Sequence, residues 1–310
     1  MKVLFLGTSE FSCPSLESLL ESAHPVIGVV TPPDRPKGRG QKLAPSPIKS
    51  LAMGKNLPVF QPARVRDDSS LEVLKSLHPD LMVVVAYGQI LSPAVLAIPP
   101  RGCVNVHASL LPKYRGAAPI ARAIMAGETR TGVTTMFMDP GMDTGAILRT
   151  AETNIEDSDT MGTLHDRLAR MGARLLVQTL DVLAKGIITP LPQEHSQATY
   201  APKIQKEEGR IHWETAARQL FNLLRAFDPW PGAFTFWAGR VLKLFRPSLL
   251  EEEVKEAPGT VVQAAASGLR IATSRGYLLA REIQLENRAR MTVNEFVQGY
   301  PLKPGVQLGA

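Results

Sequence analysis

Cysteine is nearly absent: Cys13 and Cys103 are the only two in 310 residues, far apart and in no CxxC pair. A disulfide scaffold or a thiolate metal site is therefore unavailable, and this usage fits a reducing, cytoplasmic setting. The apolar run at residues 2–6 stops at Gly7, far short of a signal peptide or a bilayer span. It reads as a buried first strand, with no membrane partner expected. The first βα turn holds only Gly7, without GxGxxG spacing, and the acid Asp34 sits in a basic loop, which argues against a nicotinamide cofactor. There is no GxxxxGK[ST], so no P-loop is expected. There is no GxSxG either, so Ser109 beside His107 does not make an α/β-hydrolase. The six histidines show no HExxH, and no metal is expected.

What is present is an ordinary globular composition, 44% hydrophobic and 21% charged, at a length that suits two domains. The net charge of +6 is unevenly placed. Residues 33–49 carry five cations (Arg35, Lys37, Arg39, Lys42, Lys49) against the single acid Asp34. Residues 209–310 carry thirteen Lys or Arg against nine Asp or Glu, four of which cluster at Glu251, Glu252, Glu253 and Glu256. Two basic zones on a near-neutral body point to a polyanionic partner, although solvated surface alone gives the same counts.

Strand-like runs at 2–7, 26–31, 81–87, 104–107, 133–138 and 146–150 alternate with helical patterns at 14–21, 46–55, 71–77, 117–126 and 160–184. This alternation predicts an α/β domain over 1–189, a Rossmann-like, doubly wound, mostly parallel sheet with ligands beyond the strand C-termini. Pro190, Pro192, Pro202 and many polar residues mark 190–208 as a linker. A helix at 214–227 buries Ala217, Leu220, Phe221 and Leu224, while Arg218, Asn222 and Arg225 share another face. Short strands at 233–237, 241–246, 260–264, 269–273 and 277–283 suit a smaller C-terminal β-barrel, OB-like, over 209–310.

The most informative segment is Gly102 to Ile120, G-C-V-N-V-H-A-S-L-L-P-K-Y-R-G-A-A-P-I. Strand periodicity places Asn105 and His107 on one face. About thirty residues on comes the glycine-rich acidic loop Met138-Asp139-Pro140-Gly141-Met142-Asp143-Thr144-Gly145. Asn, His and Asp converging at strand ends supply an amide donor, a proton handler and a carboxylate, a set suited to acyl chemistry. Taken singly, His107 reads as well as a hydrogen-bonded strand cap, Asp143 as an Asx-turn residue, and Asn105 as a partner for buried backbone.

Asn105-Val106-His107-Ala108-Ser109-Leu110-Leu111-Pro112 resembles the signature of the formyltetrahydrofolate-dependent formyltransferase family. That motif does not separate the branches acting on tRNA, purines or sugar nucleotides. Three further segments resemble the methionyl-tRNA branch along almost the full chain. They are the basic loop Pro33 to Leu43, the linker Tyr200-Ala201-Pro202-Lys203-Ile204, and the barrel entry Arg225 to Ala233. Ser9-Glu10 stands where Pro-Asp is usual, and Lys113-Tyr114 where Arg-Trp is common.

The resemblance implies formyl transfer from 10-formyltetrahydrofolate to the free α-amine of initiator methionyl-tRNA, in a cytoplasmic and monomeric enzyme. It implies Asn105, His107 and Asp143 as the catalytic trio. Folate contacts are implied at Tyr87, Gly88, Gln89, Ile90 and Leu91, at Met138 and Asp139, and at Ser109, Leu110, Leu111 and Pro112. For tRNA it implies Arg35, Lys37, Arg39 and Lys42 on a loop expected to lack regular structure, with Arg218 and Arg225 as phosphate contacts. A sugar-nucleotide formyltransferase gives no reason for the Arg35–Lys42 loop, and a catalytically silent RNA-binding protein gives none for the trio.

Overall fold

The computed structural model describes residues 1–37 and 42–309. It divides into two compact units that are not contiguous in sequence. The first comprises Met1–Pro119, Arg130–Asn154 and His165–Ala201, and the second Ile120–Thr129, Ile155–Leu164 and Pro202–Ala310.

Elements in the first unit follow the apolar runs. In chain order they are β1 Val3–Gly7, α1 Cys13–Leu20, β2 Val26–Val30, β3 Arg35–Lys37, β4 Lys42–Ala44, α2 Pro47–Gly54, β5 Val59–Phe60, α3 Asp68–Ser76, β6 Leu81–Val85, α4 Pro93–Leu96 and β7 Cys103–His107. Then come α5 Pro119–Ala126, β8 Arg130–Phe137, β9 Ile147–Asn154 and the long α6 Met161–Ala184, with α5 and α6 crossing the unit boundary.

One sheet runs β5-β2-β1-β6-β7-β8-β9. Its first five strands are parallel, whereas β7–β8 and β8–β9 pair antiparallel. β1 and β6 are buried along their whole length, which is why they read as continuous apolar runs rather than alternating ones. The direction of winding reverses between β1 and β6, and ligands of such sheets sit beyond the strand ends at that point. A crevice of about 480 Å³ lies there, lined among others by Thr8, Ser9, Pro32, Arg35, Tyr87 and Gly88.

Behind β7, Gly172 in the middle of α6 allows close packing, since a Cβ there would stand 2.7 Å from Val106 Cγ1. Val106 therefore faces α6, and strand alternation puts Asn105 and His107 on the opposite face.

The second unit holds α7 Ala217–Ala226, β10 Phe234–Trp237, β11 Arg240–Leu250, β12 Val261–Ala265, β13 Gly268–Ala272, β14 Tyr277–Leu285, β15 Met291–Thr292 and α8 Val293–Gly299. Its antiparallel sheet runs β10-β11-β14-β13-β12, with β15 beside β14. Leu220, Phe221 and Leu224 of α7 and Phe296 of α8 join Leu242, Leu244, Ile271, Leu278 and Ile283 in its core.

Three sequence expectations change. The loop expected to lack regular structure instead carries the β3–β4 hairpin, with Arg35 opposite Ala44 and Lys37 opposite Lys42. Residues 38–41, including Arg39, lie outside the described residues. Lys49, counted among the loop cations, is bound to Asp34 at 2.8 Å.

Arg225 is the third. It is only 5% exposed, donates to the Glu156 and Asp159 carbonyls and to Asn222 Oδ1, and lies over the Phe221 ring at 4.4 Å. Those contacts make it a buried brace within its unit rather than a free phosphate contact, while Arg218 on the same helix is exposed.

Candidate active site

Asn105 and His107 occupy the end of β7, both buried, opposite Met136 and Thr134 of β8. Beyond His107 the chain turns sharply, and the turn is tied by side chains. Thr134 Oγ1 donates to the Ser109 carbonyl at 2.7 Å and accepts from the Leu111 amide at 3.2 Å. Ser109 Oγ donates to the Lys113 carbonyl at 2.6 Å. The Ser109 hydroxyl, 1% exposed, is thereby committed to the turn. Leu111 is likewise buried, while Leu110 and Pro112 keep partial exposure.

His107 Nε2 lies 3.0 Å from the Tyr114 carbonyl. A carbonyl can only accept, so Nε2 carries the proton and Nδ1 is turned to Asp143. Nδ1 stands 3.6 Å from Asp143 Oδ2, an ion-pair distance too long for a hydrogen bond. The same Oδ2 accepts from the Gly116 amide at 2.8 Å.

Asp143 reaches this position on a loop that leaves β8 beside Cys103, where the Met138 amide donates to the Cys103 carbonyl at 2.8 Å. Asp139 bends that loop, its Oδ1 accepting from the Gly141 amide at 3.0 Å and from Thr144 Oγ1 at 2.6 Å. This is an Asx-type turn, so the Asp139 side chain is spent on the loop. Asp143 itself has φ +54°, a left-handed conformation that Asp tolerates better than most residues.

The expected folate segment after β6 opens outward. Tyr87 is buried, and its carbonyl accepts from Thr8 Oγ1 at 2.6 Å. Gly88, at φ +82°, has nothing within 4 Å of where a Cβ would stand. Gln89 is a loop tie rather than a free amide, accepting from the Val65 amide at 2.8 Å. Ile90 and Met142 are 83% and 60% exposed. Leu91 lies in the core of this unit, and Met138, partly buried, packs against it.

A layer beneath the trio has no counterpart in the sequence reading. Arg115 is 2% exposed. Its Nε and Nη2 donate to Gln193 Oε1 at 3.1 and 2.6 Å, and its Nη1 to His195 Nδ1 at 3.3 Å. Gln193 Nε2 in turn donates to the carbonyls of Asp143 and Gly145, both at 2.8 Å. In the sequence Arg115 is one residue of the segment Gly102 to Ile120, and Gln193 falls in the polar segment 190–208. No local signal couples two residues 78 positions apart.

In the second unit a broad cavity of about 1040 Å³ is bordered by Arg218, Arg225, Arg246, Arg281 and Arg290, together with Asp157, Asp228, Glu251 and Glu282. Arg290 is held by Asp228 at 2.7 Å and by Glu282 at 2.6 Å. Arg246, with a side chain 64% exposed, also donates to Glu282 at 2.9 Å, and Arg281 is exposed to solvent.

An open α/β sheet presenting Asn, His and Asp together has a counterpart among known proteins. Residues 1–180 match the formyl transferase family, and residues 203–301 match the formyl transferase C-terminal domain, so the class is that of formyl-transferring enzymes. The chain is 47% identical to the methionyl-tRNA formyltransferase of Pelotomaculum thermopropionicum over 100% of its own length and 99% of the relative's. It is 49% identical to that of Pelobacter propionicus over 99% and 96%. The chain belongs to the methionyl-tRNA formyltransferase family.

Solved structures share the fold at lower identity. HypX from Aquifex aeolicus in complex with tetrahydrofolic acid gives a TM-score of 0.65 at 19% identity, over 100% of this chain and 51% of HypX, so the chain spans about half of that protein. The N-formyltransferase from Helicobacter canadensis, in complex with folinic acid and dTDP-3-aminofucose, gives 0.69 at 18% identity, over 90% and 98%.

Proposed function

We propose that this chain transfers the formyl group of 10-formyltetrahydrofolate to the free α-amine of initiator methionyl-tRNA. The observation that carries the reading is the meeting of Asn105, His107 and Asp143 at the end of β7, with Asp143 Oδ2 3.6 Å from His107 Nδ1, in a chain of this family.

The amine of an aminoacyl ester is partly neutral near pH 7 and needs little activation to attack a formyl carbon. Negative charge then gathers on the formyl oxygen. The Asn105 side chain has no hydrogen-bond partner among the described residues, which leaves its amide free to donate to that oxygen. His107, anchored through Nε2 on the Tyr114 carbonyl, presents Nδ1 to the site and, when protonated there as well, stabilises the same oxygen or passes that Nδ1 proton to the departing folate nitrogen. Asp143 orients His107 or takes the amine proton through a water. None of these roles requires a metal or a nucleophilic side chain.

Ile90, Met142 and the open backbone at Gly88 are surfaces available to the pterin, as are the partly exposed Leu110 and Pro112. Charge handles the tRNA. The β3–β4 hairpin carries Arg35, Lys37 and Lys42, and Arg39, in the same stretch of sequence, has a guanidinium that can make bidentate contacts that lysine cannot. In the second unit Arg218, Arg246 and Arg281 supply phosphate contacts that position the acceptor without reading sequence.

The test is labelled formyl transfer with three acceptors: charged initiator tRNA, free methionine and an amino sugar nucleotide. Methionyl-tRNA is expected to be formylated efficiently and the others little; preference for the amino sugar would overturn the assignment. His107→Ala is expected to lower turnover by about 10²–10³ at saturating substrates, the usual cost of losing one charge-stabilising donor. Retention of more than about a tenth of wild-type turnover, with chemistry rate-limiting, would remove His107 from the mechanism.

A further inference from the structure

Arginine has only donors, so the two guanidinium contacts on Gln193 fix that amide with its oxygen toward Arg115. The amide nitrogen must then face the other way, and both of its hydrogens are taken, by the carbonyls of Asp143 and Gly145 at 2.8 Å each. Gln193 is 6% exposed, and both donors of its side chain are used. The clamp is itself pinned at both ends. Arg115 exchanges backbone bonds with Thr199 and Ala201 at 2.9 and 2.7 Å, while Leu191 and Ile147 exchange two at 2.8 Å just beyond the acidic loop. One residue past Arg115, the Gly116 amide holds Asp143 Oδ2. A single chain segment thus fixes Asp143 by its carboxylate directly and by its carbonyl through Gln193.

We propose that Gln193, oriented by Arg115, is a positioning residue that sets the left-handed turn at Asp143 and thereby the approach of its carboxylate to His107. This rests on the reading that Asp143 acts on His107. A left-handed non-glycine residue persists only where its surroundings over-determine it, and the Gln193 amide supplies two of the bonds that do so. Freed of them, residues 141–145 can relax and carry the carboxylate away while the sheet stays intact.

A double-mutant cycle tests the coupling, read as steady-state formylation of methionyl-tRNA. Gln193→Met keeps the volume and removes the four hydrogen bonds to Arg115, Asp143 and Gly145. It is expected to lower kcat about 10- to 100-fold, the effect of misplacing a catalytic group by about 1 Å, with KM for either substrate within about threefold. Added to Asp143→Asn, it should cost nothing further, because its effect passes through a carboxylate already gone. Gln193→Glu keeps the acceptor for Arg115 but loses the paired donors, and should show the same loss if Gln193→Met does not fold.

Four outcomes are decisive against it. Losses that multiply in the double variant would place the action of Gln193 elsewhere. Wild-type kcat in both Gln193 variants, with Asp143→Asn impaired, would remove the positioning role and leave the trio standing. Failure of both variants to fold would make Gln193 a residue of the fold alone. Wild-type kcat in Asp143→Asn would bring down the underlying reading and this proposal together.

Discussion

A Cβ added at Gly145 would run into the Phe137 carbonyl oxygen, a backbone atom with no room to yield. At Gly141 the added atom would meet only the Thr144 side chain, its hydroxyl first and its Cβ and Cγ2 at 3.1 and 3.2 Å, so relief needs a turn of that hydroxyl and a shift of a few tenths of an ångström rather than a backbone move. The two glycines of one loop therefore make opposite demands. Gly145→Ala is expected to destabilise by about 1–3 kcal/mol or more, as overpacking does. At about 2–4 °C per kcal/mol for a chain of this size class, Tm should fall by several degrees, and formylation should be lost even where the protein is folded. Gly141→Ala should leave Tm within about 2 °C on the same scale and act on turnover through the Thr144–Asp139 bond. Equal melting temperatures for the two variants would contradict this closure of the loop. At this scale the sequence showed Asn105, His107 and Asp143 because strand periodicity and a glycine-flanked acid are local patterns. Arg115, Gln193 and the turn-locking role of Ser109 depend on partners that only folding brings near.

Elements were legible where one period governs them. α2 begins where Ser46 and Pro47 signal a start, with the Ser46 hydroxyl accepting from the Lys49 amide at 3.2 Å. α6 buries Leu164, Leu168, Leu175 and Leu176 as its spacing requires. The antiparallel pairing of β8 and β9 was not legible, since alternation along a strand carries no information about its neighbour's direction. β5, two residues long, and the β3–β4 hairpin among prolines fall below any periodic signal. An ion pair between elements sets a pH dependence. Arg122 on α5 grips Glu208 in the short turn Lys206–Gly209 at 2.6 and 3.0 Å, and the Gln205 amide adds 2.7 Å on the same carboxylate. The Arg122 hydrogen bonds hold the Glu208 carboxyl below its ordinary value of 4.5 against the opposing effect of burial. A depressed carboxylate stabilises the fold above the unfolded value and loses that contribution as pH falls through the folded one. The Tm advantage of wild type over Glu208→Gln is therefore expected at pH 7 and should shrink below about pH 4.5; a constant difference down to pH 3 would mean the charge contributes nothing.

Over the whole chain, the seven-stranded sheet is complete by Asn154, so a protein ending near Lys185 retains every strand of it. The compact units nevertheless divide otherwise: Ile120–Thr129 and Ile155–Leu164 cluster with Pro202–Ala310. Removing that C-terminal part takes Glu208 from Arg122 and takes Arg225 from the carbonyls of Glu156 and Asp159. It also takes the Asp228 carbonyl from the Gly162 amide. Ile155 and Leu164, 8% and 0% exposed in the full chain, lose the unit in which they are packed. Each large apolar side chain returned to water costs about 1.5–3 kcal/mol, and the stranded carbonyls add no compensation. The fragment 1–185 is expected to bind 8-anilinonaphthalene-1-sulfonate and to melt well below the full chain. Its weak tRNA binding would then mix lost contacts with a loosened site. Charge changes in the intact protein avoid that confusion: Arg281→Ala, at an exposed position, should lower the magnitude of the log-affinity against log-salt slope by a little under one, with Tm unchanged. A fragment 1–185 that melts like the full chain and binds no dye would show that residues 120–129 and 155–164 need nothing beyond the sheet.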